Sequence, residues 1–316
     1  MPMAQGTVAK KGRMSKLEKR NTLIAYSFLA PNFIGFLVFT MIPVVFSVAL
    51  SFMDWGGGQN ITFVGLENFR YIFHDFSFTK SNLGIALKNT VYYTIVTVPL
   101  TLGCALGLAL LLNKGIRGAK VFRAVLFFPY VASLVAICVC WNFLLMKNGP
   151  FSQLLSHVGP GFSKSWTSSR ELAIWAIIVV SVWRNAGYYM VMYLAGLQGV
   201  PTELYEAATM DGANGWQQFR KITMPMLTPT TFFCSIMMVI YCFKIYDVVA
   251  IMTQGGPGRS TKMLVTYIFE LSFGGEGIAT SAQYGVASAV SMVLLVIVLL
   301  VTFVQFRGEK KWVNYM

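Results

Sequence analysis

The stretch from Pro201 to Pro229, PTELYEAATMDGANGWQQFRKITMPMLTP, is a polar island between two long apolar runs. Thr202 can cap a helix that has Glu203 in its first turn, and Leu204, Ala207 and Ala208 give one side small or apolar contacts. Gly212 and Gly215 break that helix. A second segment over 216–223 carries Trp216, Phe219 and Ile222 at helical spacing, and Pro225 is expected to stop it. The pattern predicts a helix-turn-helix at a membrane surface. Its small residues would allow close approach by another protein, and Glu206 and Asp211 offer charge for pairing.

The rest of the chain is written for lipid. Of its 316 residues 56% are hydrophobic and 12% charged, too apolar a balance for a water-soluble domain of this size. The formal charge of +13 fits basic residues held at the cytoplasmic face of a membrane better than a nucleic-acid surface. Cys104, Cys138, Cys140, Cys234 and Cys242 all fall in apolar runs, where neither a disulfide framework nor a metal site is expected. His74 and His157 lie far apart in polar loops. No catalytic residue, metal site or cofactor site can be assembled from this composition, so a membrane enzyme is disfavoured. No G-x-x-x-x-G-K-[ST] stretch occurs, so ATP chemistry would belong to another subunit.

Hydropathy divides the chain into a basic tail (1–22), a membrane domain (23–306) and a C-terminal tail (307–316). Six spans are expected, at about 23–52, 90–112, 121–146, 172–196, 228–253 and 284–306, each long enough to cross the hydrocarbon core. The first is too long for the apolar core of a signal peptide and is read as an uncleaved span bent at Pro31 or Pro43. Six spans put both termini on one side. The two tails, the 113–123 turn and the 201–225 loop hold 15 Lys and Arg against 8 in the opposite loops, which places the first set in the cytoplasm.

Glu206-Ala207-Ala208, then Gly212, then Ile222-x-Met224-Pro225 resembles the EAA motif of permease subunits of binding-protein-dependent ABC importers, with Met224 where that family usually has Leu. Phe122-Arg123-Ala124 with Pro129-Tyr130, Leu194-Ala195-Gly196-Leu197-Gln198 and Thr253-Gln254-Gly255-Gly256-Pro257 look like its sugar-importing branch, and within it the first permease subunit of the maltose and glycerol-phosphate type. The resemblance implies an all-α integral membrane protein of the type I importer fold, with a cytoplasmic coupling helix. It also implies a second homologous permease subunit, an ATPase dimer that binds ATP and Mg, an extracytoplasmic solute-binding protein, and a bacterial or archaeal cytoplasmic membrane. In it Glu206, Ala207, Ala208, Asp211 and Gly212 would seat the coupling helix in the ATPase. The solute would be a sugar, oligosaccharide or sugar-like polyol or phosphoester.

Positions that hold solute in maltose-type members carry over to Tyr130 and Leu134, to Ser181, Arg184 and Asn185, and to Tyr241, Cys242 and Ile245. Aromatic faces stack on sugar rings, while Ser and Asn bond to hydroxyls; Leu134, Cys242 and Ile245 do neither well. Arg184 lies well inside an apolar run, where a guanidinium is costly unless it faces protein or water. Lys244 and Asp247, three apart on the fifth span, can pair with each other and are further candidates for touching solute. Trp183, Tyr188 and Tyr189 read as packing aromatics. An ABC permease for a non-sugar solute, a lipid or a peptide, is the nearer rival reading; a secondary transporter is the other, weakened by the absence of a visible inverted repeat and by Asp247 standing alone as a carboxylate well inside a span.

Overall fold

Proline placement and polar caps set where the helices of this chain begin, bend and end. The computed structural model describes residues 16–74, 76–147, 149–156, 165–274 and 282–313. Lys10, Lys11, Arg13 and His157 lie outside these. The chain forms two compact units divided after Leu50.

The first unit is one apolar rod, helix α1 (Lys16–Phe36), a π-helical turn (Leu37–Met41) and helix α2 (Ile42–Leu50). Its 32 residues from Lys19 to Leu50 are long and apolar enough to cross a membrane. The interruption belongs to Pro43, not to Pro31, which sits inside α1. Proline offers no N–H to the turn before it and its ring crowds the carbonyl four residues back. The widened turn ahead of Pro43 absorbs that conflict, with Ile42 N–H reaching Leu37 O.

The second unit opens with a two-stranded antiparallel ribbon, β1 (Met53–Asp54) and β2 (Thr62–Phe63), where Met53 faces Phe63 and Asp54 faces Thr62. Helix α3 (Glu67–Phe73) follows. Asn68 at its start is buried and ties the ribbon down, its amide donating to Ser51 O at 3.0 Å and Met53 O at 2.9 Å. The segment between the first two expected spans therefore carries elements of its own, and helix α4 (Asn82–Asn113) starts eight residues before the expected span. Ser81 makes that start: its hydroxyl accepts from Gly84 N–H at 3.0 Å.

Helix α4 is the central post. It packs on α8 (Ala173–Gln198) and α12 (Thr228–Phe243), and α5 (Ala119–Val131) packs on α8. Tyr93, Ile177, Met190, Tyr193 and Met238 fill the space between them. The expected third span is not one helix. After α5 the chain turns by 96° through extended backbone at Ala132 into α6 (Leu134–Leu145), and α7 (Pro150–Ser156) follows.

The fifth span departs in the same way. Between α8 and α12 come α9 (Thr202–Met210), α10 (Gly215–Gln218), a π turn (Phe219–Thr223) and α11 (Met224–Met226). Helix α12 then ends at Phe243, and α13 (Asp247–Met252) begins after a three-residue break. Helix α14 (Leu264–Phe273) packs against α15 (Tyr284–Trp312), whose helix runs past the expected span end at residue 306. A buried contact joins α14 to the post. Thr90 on α4 donates to Ala86 O at 2.7 Å and accepts from Leu264 N–H at 3.0 Å.

By length and composition four helices can cross a membrane by themselves: Lys19–Leu50, Asn82–Asn113, Ala173–Gln198 and Tyr284–Glu309. Two bent pairs pass the same test together, Ala119–Val131 with Leu134–Leu145 and Gly215–Met226 with Thr228–Phe243.

Candidate functional site

The polar island folds as a helical hairpin held by its own side chains. Thr202 is not the cap of α9. Pro201 occupies that position, with Thr202 as the first helical residue, and no side chain caps the end. The far end of α9 is closed by backbone. Gly212 N–H donates to Thr209 O at 3.0 Å and Ala213 N–H to Ala208 O at 2.8 Å, a pair that requires the left-handed conformation Gly212 adopts at φ 77°. Asn214 and Gln217 then form a reciprocal capping box that starts α10.

Two side-chain bonds lock the legs together. Tyr205 Oη lies 2.9 Å from Thr223 Oγ1, and Gln218 Nε2 donates to Thr209 Oγ1 at 2.9 Å. Pro225 does not stop the second leg. A π turn ends two residues before it, as before Pro43, and the helix continues through Met226 before bending by 62° into α12.

Glu206, Ala207, Asp211 and Gly212 are exposed along the hairpin, and Ala208 is half-buried. Two apolar residues stand out from this polar surface: Met210, 89% exposed, and Trp216, 69% exposed and tilted against Phe219 at 5.4 Å. Met210 escapes a reading that follows small residues and carboxylates. Its signal in the sequence is position alone, the last helical residue before the glycine turn.

The second site is built where two helices come apart. The extended turn after α5 and the break between α12 and α13 face one cavity of about 280 Å³. Five residues expected to hold solute lie on it: Tyr130, Arg184, Tyr241, Lys244 and Asp247, together with Leu134 and Ile245. Ser181 and Asn185 do not. Both are buried, with Asn185 Nδ2 donating to Ser181 O at 2.8 Å, and Cys242 is fully buried too. Unwound backbone at membrane depth is tolerated where it lines protein or a water-filled space.

Arg184 reaches the cavity from α8. Its Nη2 donates to Tyr130 O at 3.3 Å and its guanidinium carbon lies 5.3 Å from the centre of the Tyr130 ring. Tyr188, one turn on, stacks on the same ring at 4.4 Å, so one of the packing aromatics holds a cavity residue in place. The Nε of Arg184 is buried without a partner among the described residues.

The expected Lys244–Asp247 pair does not form. Lys244 ends α12 and Asp247 begins α13, and no ion pair joins them among the described residues. Each charge instead suits its own helix end, cation at a C-terminus and carboxylate at an N-terminus. The break also explains the cavity residues that periodicity missed. Tyr246 and Val248 join Lys244, Ile245 and Asp247 on the wall, five consecutive positions that no continuous helix could turn to one side. Among the described residues no group of His, Cys, Asp and Glu could hold a metal ion.

The sequence profile described as "Binding-protein-dependent transport system inner membrane component" matches residues 100–312. The probable ABC transporter permease protein YesP of Bacillus subtilis (strain 168) is 35% identical over 314 residues, covering 98% of each chain. The lactose transport system permease protein LacF of Rhizobium radiobacter is 33% identical over 301 residues, covering 94% of this chain and 97% of the relative. The crystal structure of a bacterial ABC transporter involved in the import of the acidic polysaccharide alginate contains a chain of the same fold, with a TM-score of 0.73 at 24% identity, covering 92% of this chain and 96% of that one. On these matches, together with the hairpin and the split helices, the chain belongs to the family of binding-protein-dependent transport system inner membrane components.

Proposed function

We propose that this chain is the first of two permease subunits in an ATP-driven importer of a sugar, oligosaccharide or sugar-like polyol or phosphoester. The observation that carries the reading is the hairpin over 202–226, a rigid polar element presenting Glu206, Ala207, Asp211, Gly212 and Met210 at its surface while continuing directly into α12. That continuity joins it to the cavity at the other end of α12. In this reading six spans cross the membrane, counting each bent pair as one. Both termini and the hairpin lie in the cytoplasm, as the Lys and Arg distribution favours.

The mechanism in this reading is the one that the family resemblance implies. A solute-binding protein delivers sugar from the extracytoplasmic side. The partner ATPases bind ATP with Mg, close on each other and draw the seated hairpins together. Because α11 leads into α12 and α12 ends at the cavity, movement of the hairpin shifts Tyr241 and Lys244 against Tyr130 and Arg184. Alternating access is then a two-state equilibrium biased by ATP at one end and solute at the other. The lactose-system relative supports a carbohydrate cargo.

The test is purification of the tagged chain from its native membranes, with and without Glu206→Lys. Wild type should bring down an ATPase and a second permease, and the variant should lose the ATPase. Recovery of the chain alone, with uptake that survives ATP depletion and collapses with the ion gradient, would replace this reading with secondary transport.

A further inference from the structure

The cavity between the two helix breaks is lined by two cations and one carboxylate: Arg184, Lys244 and Asp247. A cation that this chain buries elsewhere is matched one to one. Lys262, 6% exposed, holds Glu270, 15% exposed, at 2.7 Å. In the cavity no such match exists. Among the described residues Arg184 and Lys244 have no ion pair with Asp247 or with any other carboxylate. Arg184 donates to the neutral carbonyl of Tyr130 and meets the Tyr241 hydroxyl, but its buried Nε has no partner among the described residues. A guanidinium has five donors in a planar fork suited to carboxylate and phosphate oxygens. Tyr130, occupied by Tyr188 and Arg184, fixes that fork rather than offering a free ring face.

A half-buried guanidinium without a carboxylate partner is unfavourable at membrane depth until something of opposite sign arrives. We propose, resting on the import reading above, that the cavity accepts a saccharide bearing one anionic group, a carboxylate or a phosphoester. Arg184 and Lys244 take the anion, and Asp247 and the Tyr241 hydroxyl take sugar hydroxyls. Asp247 fits the second role because a carboxylate accepts from two hydroxyls at once and repels a misplaced anion. Ligand pockets for drug-sized molecules run from about 300 to 1,000 Å³. At about 280 Å³ this one suits a single ring with its anionic substituent.

The intact complex, isolated from native membranes in detergent, tests this by thermal unfolding against glucuronate, galacturonate, glucose 6-phosphate, galactose 6-phosphate, glucose and galactose. At least one anionic sugar should raise the unfolding temperature at a concentration tenfold or more below that needed for its neutral parent. A response confined to the uronates identifies a carboxylate cargo, and one confined to the phosphates a phosphoester cargo. Arg184→Gln and Lys244→Gln should each reduce the anionic-to-neutral preference about tenfold. Lys244 is exposed at the cavity wall, so its variant should still assemble if Arg184→Gln does not. Equal or stronger response to the neutral parents, no response to any anionic sugar, or a preference that survives Lys244→Gln would overturn the assignment. A neutral-sugar preference in a complex that still contains its ATPase would leave sugar import standing. Loss of the ATPase from the wild-type preparation would sink the import reading itself.

Discussion

Gly187 lies one turn from Arg184 on α8, at the crossing with α5, and replacing it with alanine is the sharpest test of how the cavity is held. A Cβ built there would run into Leu126 O and sit 2.7 Å from Leu126 C and 3.0 Å from Phe127 Cα. All three are backbone atoms of α5, so no side-chain rotation relieves the clash. The helices would have to separate by roughly 1.5 Å to restore ordinary contact, and overpacking of this kind costs about 1–3 kcal/mol. The same movement carries Tyr130 away from Arg184 and Tyr188. The Arg184–Tyr130 bond is already 3.3 Å long, so it would not survive such a shift. Gly187→Ala should therefore lower the unfolding temperature of the assembled complex by several degrees, at about 2–4 °C per kcal/mol for chains of this general size. It should also weaken solute transport beyond what subunit loss explains. Gly103→Ala on α4, with nothing within 4 Å of the new Cβ, is the control and should unfold like wild type. Wild-type unfolding and transport in Gly187→Ala would refute the idea that this close crossing positions Arg184.

Gly212→Ala places a side chain at φ 77°, a conformation that costs an L-residue about 1–2 kcal/mol; solute-stimulated ATP hydrolysis should fall at unchanged subunit levels, with Gly212→Asn milder, and equal loss in both would count against backbone strain as the cause. Thr90→Val removes the acceptor of Leu264 N–H inside the core, so about 1–3 kcal/mol of stability should be lost, read as a lower unfolding temperature. Lys262→Met or Glu270→Leu alone strands a buried charge and should cost about 3–5 kcal/mol. The double variant should recover most of that loss, and a double as unstable as the sum of the singles would show that the pair is not the issue.

Much of this protein is legible in one dimension because lipid imposes a one-dimensional rule. A chain in hydrocarbon satisfies its backbone internally, so long apolar runs become helices, as Lys19–Leu50, Asn82–Asn113, Ala173–Gln198 and Tyr284–Glu309 do. The hairpin was legible for a different reason. Gly212 and Gly215 are local breakers, and Asn214 with Gln217 is a local cap, so the residues that shape the turn sit within it. Local rules misled where two devices compete at a helix end. Thr202 is a good cap residue, yet Pro201 takes the cap position, and Pro225 is a good stop, yet a π turn ahead of it lets the helix run on.

The cavity is where sequence reasoning ran short. That Tyr130, Arg184, Tyr241, Lys244 and Asp247 share a wall depends on two helix breaks 112 residues apart, at Ala132 and Lys244, coming together across α8. Hydropathy ran through both breaks, since Leu134–Leu145 and Thr228–Phe243 stay apolar up to them. It therefore paired Lys244 with Asp247 along a helix that does not continue. Hydrophobicity, charge and turn chemistry act through near neighbours, so the long apolar segments, the uneven distribution of Lys and Arg and the hairpin over 202–226 are readable in one dimension. Which charges meet in the cavity, and which stay unpaired there among the described residues, follows from the packed fold alone, because a break in a helix turns side chains to directions that depend on what packs across from it.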